Sequence, residues 1–294
     1  MYEKWKGVHT RCAFNMIQEL IPLTRPRTLA ATLGPTILGA AFSYYAFGAA
    51  QGTGLAIFHT MLIFLAVVTA QIVANLWNEY KDFKSGLDAG QKVGNAGSIT
   101  RGVITPELII TMIKVLMFVP IIIGLYLSAT ITWYYIPVGF LCILISFLYS
   151  GGPKPISRTP FGEISSGIAM GFAIVLITGY AWIRELSLAL LIPAIPSTLL
   201  VGSIMLTNNI RDIRNDESHG RHTLPIVLGR ERALSLMSIS YIFNFIWIIA
   251  WIIVSHMTWF ALLAFLAAPL AFKTIHTLST NTDEFQLDKA MGTT

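Results

Sequence analysis

Residues 28–78 read TLAATLGPTILGAAFSYYAFGAAQGTGLAIFHTMLIFLAVVTAQIVANLWN, without a single Lys, Arg, Asp or Glu. The hydrocarbon core of a bilayer is crossed by about 20 mostly apolar helical residues. This stretch is therefore two spans, and the turn-rich GAAQGTG at 48–54 divides them. The same reading carries through the chain. A third span covers about 108–127, and after the break at 128–132 a fourth ends near 149. A fifth covers about 164–183 and a sixth about 188–210. Ser255, His256, Met257 and Thr258 cut the interval 233–272 into a seventh and an eighth. The expectation is an all-α membrane protein of eight spans, residues 1–294 forming one intramembrane domain.

Composition excludes the soluble alternatives. Hydrophobic residues make up 54% of the 294 and charged ones 12%, with a mean hydropathy of +0.66. The net charge of +5 does not point to nucleic acid, because in so apolar a chain bases face the cytoplasm and anionic headgroups. Cys12 and Cys142 cannot make a disulfide framework, and residues 1–20 lack the apolar core of a cleaved signal.

Basic residues set the orientation. Lys4, Lys6, Arg11, Arg25 and Arg27 precede the first span; Lys81, Lys84, Lys92 and Arg101 lie in loop 2/3; Lys154 and Arg158 lie in loop 4/5. Loop 6/7 and its flanks carry Arg211, Arg214, Arg221, Arg230 and Arg232, whereas loops 1/2, 3/4 and 7/8 have no Lys or Arg and loop 5/6 has only Arg184. Both termini and the long loops 2/3 and 6/7 are thus expected on the cytoplasmic side. The acids gather there too, with only Glu185 outside, so function is expected in those two loops.

The second span ends in NLWNEYKDFKSGLD (75–88) and the sixth in NNIRDIRND (208–216). Written as N-x-x-x-D, they superpose Asn78 on Asn208 and Asp82 on Asp212, a parallel repeat of four helices. Spacings of three, four and seven place Asn75, Asn78, Glu79 and Asp82 on one face, and a spacing of four does so for Asn208, Asp212 and Asp216. One polar helix end at an interface is ordinary; two matched ones are not. Carboxylate and amide oxygens without His or Cys suit a hard cation such as Mg²⁺, which completes its shell with water and phosphate oxygens. A diphosphate would supply those. Lys84, Lys92 and Arg101 in one loop, with Arg211, Arg221 and His222 in the other, would neutralise its remaining charge.

These segments resemble the UbiA superfamily of intramembrane prenyltransferases, whose two Asp-rich motifs lie on loops 2/3 and 6/7. Within it, DFKSGLD (82–88), YSGGPKPISRTPFGE (149–163), GRHTLPIVLGRERA (220–233) and RPRT (25–28) are most similar to the branch acting on 1,4-dihydroxy-2-naphthoate in menaquinone synthesis. The resemblance implies a nine-helix bundle around a cavity open to the lipid bilayer, of which eight helices are read here and the last is missing. It further implies a polyprenyl diphosphate donor, Mg²⁺ held by Asn78, Asp82, Asp88, Asn208, Asp212 and Asp216, and demethylmenaquinol as product. Asp82 and Asp212 would be catalytic through the metal, and the ring face of Tyr149 would stabilise an allylic cation. Arg25 and Arg27 would meet the acceptor carboxylate or the diphosphate, and Lys114 would only snorkel to the interface. Glu79 and Asn209 stand where the pattern has Asp, and Gly86 replaces the first motif's last Asp, leaving Asp88 to substitute. A bacterial plasma membrane is the expected location. Two alternatives remain open: 4-hydroxybenzoate or another phenol as acceptor, and a cation-coupled transporter, whose ion site would lie near the bilayer midplane.

Overall fold

A computed structural model describes residues 20–86, 97–254, 257–282 and 287, apart from the side chain of Arg27. These residues fold into helices and connecting turns, with no strand among them. A short 3₁₀ turn, Pro26–Leu29, leads into α1 (Ala30–Phe47), followed by α2 (Thr53–Ser85), α3 (Pro106–Thr130) and α4 (Tyr135–Ser150). Then come α5 (Gly162–Ile183) and α6 (Leu188–Arg211), two short helices α7 (Ile213–Ser218) and α8 (Leu224–Leu228), and finally α9 (Arg230–Ile253) and α10 (Trp259–Thr280). Among the described residues, α2, α3, α5, α6, α9 and α10 are long and apolar enough to cross a membrane. The other two long segments are weaker candidates: α1 is diluted by Thr, Ser, Gly and Tyr, and α4 is only 16 residues long.

Local chemistry explains the breaks. Gly48 (φ 76°) and Gly52 (φ 89°) take left-handed conformations that stop α1 and let α2 begin at Thr53. Thr105 caps α3 by accepting the Leu108 N–H at 3.2 Å, with Pro106 at the first helical position. Side chains such as Phe118, Phe140 and Ile239 are more than half exposed on apolar helices. In water that surface would aggregate; against lipid tails it is the natural exterior.

The described chain divides into two compact units. The first consists of Met1–Ala30 and Phe64–Pro155. Its core, Leu23, Val73, Leu76, Ile99, Ile104, Ile109 and Ile113, packs residues 97–104 against the last turns of α2 and the start of α3. The second consists of Ala31–Ile63 and Ile156–Thr294. There one cluster joins Phe42, Ala56, Trp182, Ile183, Leu190 and Ile192, and another joins Leu206, Ile210, Met237, Tyr241 and Leu278. Lipid tails are as apolar as leucine, so helix association in a membrane depends on close backbone approach. The Gly167–x–x–x–Gly171 pair in α5 supplies it. A Cβ on Gly167 would stand 2.6 Å from the Thr198 carbonyl oxygen, and one on Gly171 would stand 2.6 Å from the Thr198 Cα. Residues Gly167–Phe172 wind as a π-helix, a local widening frequent at functional sites.

Candidate active site

In the first unit the polar face of α2 is built from Gln71, Asn75, Asn78 and Asp82, spaced four, three and four residues apart. Its upper part fastens the entry segment. Gln71 Nε2 donates to the Thr28 carbonyl at 2.7 Å, and Asn75 Nδ2 to the Thr24 carbonyl at 3.1 Å. The RPRT segment is thereby laid along the helix that carries the first motif. Arg25, half-buried, adopts φ 49°, a left-handed conformation uncommon for a residue with a side chain. The Arg27 side chain lies outside the described residues. At Asn78 the Oδ1 accepts the Ser150 hydroxyl at 3.0 Å, which ties the motif to the end of α4 beside the half-buried Tyr149. Asp82 is 8% exposed.

Glu79 does not join the oxygen stripe that its spacing predicts. Its carboxylate accepts the backbone N–H groups of Gly97 (3.2 Å), Ser98 (2.6 Å) and Ile99 (3.4 Å), and it is 2% exposed. Glutamate is one methylene longer than the aspartate of the generic pattern, and here its carboxylate pins loop 2/3 from below. Arg101 then donates Nη2 to the Ser98 hydroxyl at 3.2 Å. Lys84 is exposed, its Nζ 5.2 Å from the Tyr80 ring centre, and Lys81 sits in the same way 5.5 Å from Trp77. Asp88 and Lys92 lie outside the described residues.

In the second unit the three motif positions are not on one uninterrupted helix, as their spacing predicts. Asp212 ends α6 with φ −92° and ψ 7°, and α7 starts after it. Winding nevertheless passes through the junction: the Asp212 N–H bonds the Asn208 carbonyl at 3.1 Å and the Asp216 N–H bonds the Asp212 carbonyl at 2.9 Å. Both carboxylates meet arginine. Arg211 grips Asp212 bidentately, Nε to Oδ1 at 2.6 Å and Nη2 to Oδ2 at 2.7 Å. Arg221 Nη1 lies 3.3 Å from Asp216 Oδ1, and Asp216 is 2% exposed. Next to it, the His222 N–H bonds the Arg158 carbonyl at 3.0 Å, although the His222 side chain is exposed.

Asn209 stands where the generic pattern has Asp. Its Nδ2 donates to Glu163 Oε1 at 2.8 Å. Glu163 begins α5, is 4% exposed, and its Oε2 has no hydrogen-bond partner among the described residues. It stands at the end of the segment 149–163, but no spacing rule connects it to Asn209, 46 residues on.

Each unit by itself offers oxygen donors of the type a hard divalent cation takes: Asn78 and the buried Asp82 in the first, and Asn208, Asp212 and the buried Asp216 in the second. Among the described residues no three or more His, Cys, Asp and Glu side chains cluster as a complete cage. Mg²⁺ does not require one, since it usually takes one or two carboxylates and fills its shell from water and phosphate.

Apolar helices bearing polar ends of this kind define a multi-pass helical membrane protein. The chain belongs to the UbiA prenyltransferase family, whose model matches residues 33–292. The 1,4-dihydroxy-2-naphthoate octaprenyltransferase of Bacillus subtilis (strain 168) is 37% identical to it over 262 residues, 87% of this chain and 80% of the relative. Solved structures share the fold. A UbiA homolog from Aeropyrum pernix K1 in its apo form superposes with a TM-score of 0.69 at 16% identity, over 91% of this chain and 93% of that one. A UbiA homolog from Archaeoglobus fulgidus bound to DMAPP and Mg²⁺ does so with a TM-score of 0.60 at 17% identity, over 88% and 84%.

Proposed function

We propose that this protein transfers a polyprenyl group from polyprenyl diphosphate to 1,4-dihydroxy-2-naphthoate in menaquinone biosynthesis. The observation that carries the reading is the extent of identity to the Bacillus subtilis naphthoate enzyme, in a chain with an Asn-x-x-x-Asp motif at two helix ends. The whole chain acts as one catalytic domain, in a bacterial plasma membrane with its long loops in the cytoplasm. Asn78, Asp82, Asn208, Asp212 and Asp216 would hold Mg²⁺, with Asp88 joining them from loop 2/3. When bound, the ion supplies Lewis-acid stabilisation of the negative charge that grows on the departing diphosphate.

The remaining work falls to the protein. Arg211 and Arg221 pair with Asp212 and Asp216, and these two arginines, Lys84, Lys92, Arg101 and His222 would supply cationic groups to the phosphate oxygens. Arg25 and Arg27, on the segment fastened to α2, receive the acceptor carboxylate. The allylic C–O bond breaks and its electron pair leaves with diphosphate. The ring carbon that bears the carboxylate bonds to the allylic carbon, and the C–CO₂⁻ bond then breaks to restore the aromatic ring. The products are demethylmenaquinol, CO₂ and diphosphate. A lipid-surrounded site excludes the water that would intercept the cation, and the face of Tyr149 offers it electron density.

The test is prenyl transfer in liposomes with labelled polyprenyl diphosphate, offering 1,4-dihydroxy-2-naphthoate and 4-hydroxybenzoate in parallel, with and without Mg²⁺. A naphthoate product that depends on the metal is expected. Reaction with 4-hydroxybenzoate alone would retain the prenyltransferase and discard this acceptor.

A further inference from the structure

A second group of cations lies on the far side of the helix end that carries the second motif. Ile210, Arg211, Arg214 and Glu217 line a pocket of about 250 Å³ together with Ile226 and Arg230. Each residue turns a helix by about 100°, so positions 210 and 214 look roughly 200° away from 208 and 212. None of Asn208, Asp212 and Asp216 lines this pocket. It is separate from the carboxylate motif, though Arg211 reaches both.

The lining includes three arginines and one glutamate, with Ile210 and Ile226 among its apolar residues. The Arg211 charge is matched by Asp212, which leaves Arg214 and Arg230 against Glu217. Like charges around one small volume repel, and an anion between them converts the repulsion into attraction. Two of the three arginines are held in place: Arg211 by its bidentate pair with Asp212, and Arg230 by donating Nη2 to the carbonyls of Leu278 (2.6 Å) and Asn281 (2.5 Å). Arg214 is exposed and makes no hydrogen bond or ion pair among the described residues. Fixed arginines beside an exposed one, with isoleucines in the same lining at the end of a long apolar helix, match a phosphate that carries an apolar neighbour.

We propose that this pocket binds a phosphate group, supplied either by the headgroup of an anionic phospholipid or by free inorganic phosphate. Anionic lipids concentrate on the face where this chain puts its bases, and basic pockets beside transmembrane helices hold their headgroups. The site does not rest on the prenyl-transfer reading, since it needs neither the acceptor nor the metal.

The full chain in detergent is offered equal phosphatidylglycerol and phosphatidylcholine, and retained lipid is counted by native mass spectrometry. Inorganic phosphate is titrated separately while the unfolding temperature is followed. Wild type is expected to prefer phosphatidylglycerol, and Arg214→Gln to reduce the preference about fivefold, the share of one basic residue at an anionic surface. Arg232→Gln removes an exposed arginine outside the lining and should leave the preference unchanged. Saturable stabilisation by inorganic phosphate, lost in Arg214→Gln, assigns the site to free phosphate; lipid preference without it assigns the headgroup. Equal losses in both arginine variants would reduce the effect to general surface charge and overturn the pocket. Absence of any preference or shift, or loss of binding in Asp82→Ala, overturns it too.

Discussion

Asn209 and Glu163 are joined by a hydrogen bond of 2.8 Å that fastens the second motif to the start of α5. Partners one step removed from a metal site orient the residues that hold it, and their loss typically costs about 10–100-fold in metal affinity or activity. Glu163→Gln and Asn209→Ala should each raise the Mg²⁺ concentration for half-maximal prenyl transfer by that order. Because the two act through one contact, the double variant should lose little more than either single one. Additive losses in the metal titration would show that the contact is not what matters.

Asp82→Ala and Asp212→Ala should each reduce prenyl transfer by about 10²-fold or more, the scale seen when a group that stabilises developing charge is removed. Asp212→Asn separates charge from shape, since its amide oxygen still accepts from Arg211 while the negative charge is gone. It should resemble Asp212→Ala in rate while keeping one of the two bonds to Arg211. Chelation of divalent ions should silence the wild type, and added Mg²⁺ should restore it.

Glu79 is expected to matter for folding of loop 2/3 rather than for the chemistry directly. Glu79→Gln keeps one acceptor oxygen but loses the charge that draws in three backbone N–H groups, a loss of about 1–3 kcal/mol for a buried acceptor set. Hydrogen exchange at Gly97, Ser98 and Ile99 should accelerate, and activity should fall only as far as Arg101 loses its support. Unchanged exchange there would remove the anchoring role.

The helices were legible because each rests on a local rule. Charge-free runs marked the apolar segments, and Gly48 and Gly52 marked the first break. Asn78, Asp82, Asn208 and Asp212 were legible as candidate site residues because a repeated spacing needs no knowledge of the fold. Glu79 was misread, and the contact of Asn209 was missed, for the opposite reason. Their partners, Gly97–Ile99 and Glu163, come from other elements, and a pattern along one helix cannot reveal what closes over it. The pairing of Arg211 with Asp212 was close in sequence and still hidden, since a base beside an acid is expected in any charged loop.

Packing of α5 against α6 yields the last prediction, and it concerns space rather than charge. A side chain at Gly171 would meet backbone atoms of Ser197 and Thr198 at 2.6–2.8 Å, and backbone has no rotamer with which to yield. Ser197 also donates its hydroxyl to the Gly171 carbonyl at 3.2 Å, so separating the helices would cost that bond as well. Gly171→Leu should therefore push α5 from α6 and lower the midpoint of thermal unfolding in detergent, with a loss of about 1–3 kcal/mol or more from overpacking. Gly34→Ala is the matched control, since a Cβ there meets nothing within 4 Å and alanine is the better helix former. Its midpoint should be equal to that of the wild type or slightly higher. If both variants unfolded alike, the close approach of α5 and α6 would not be a source of stability.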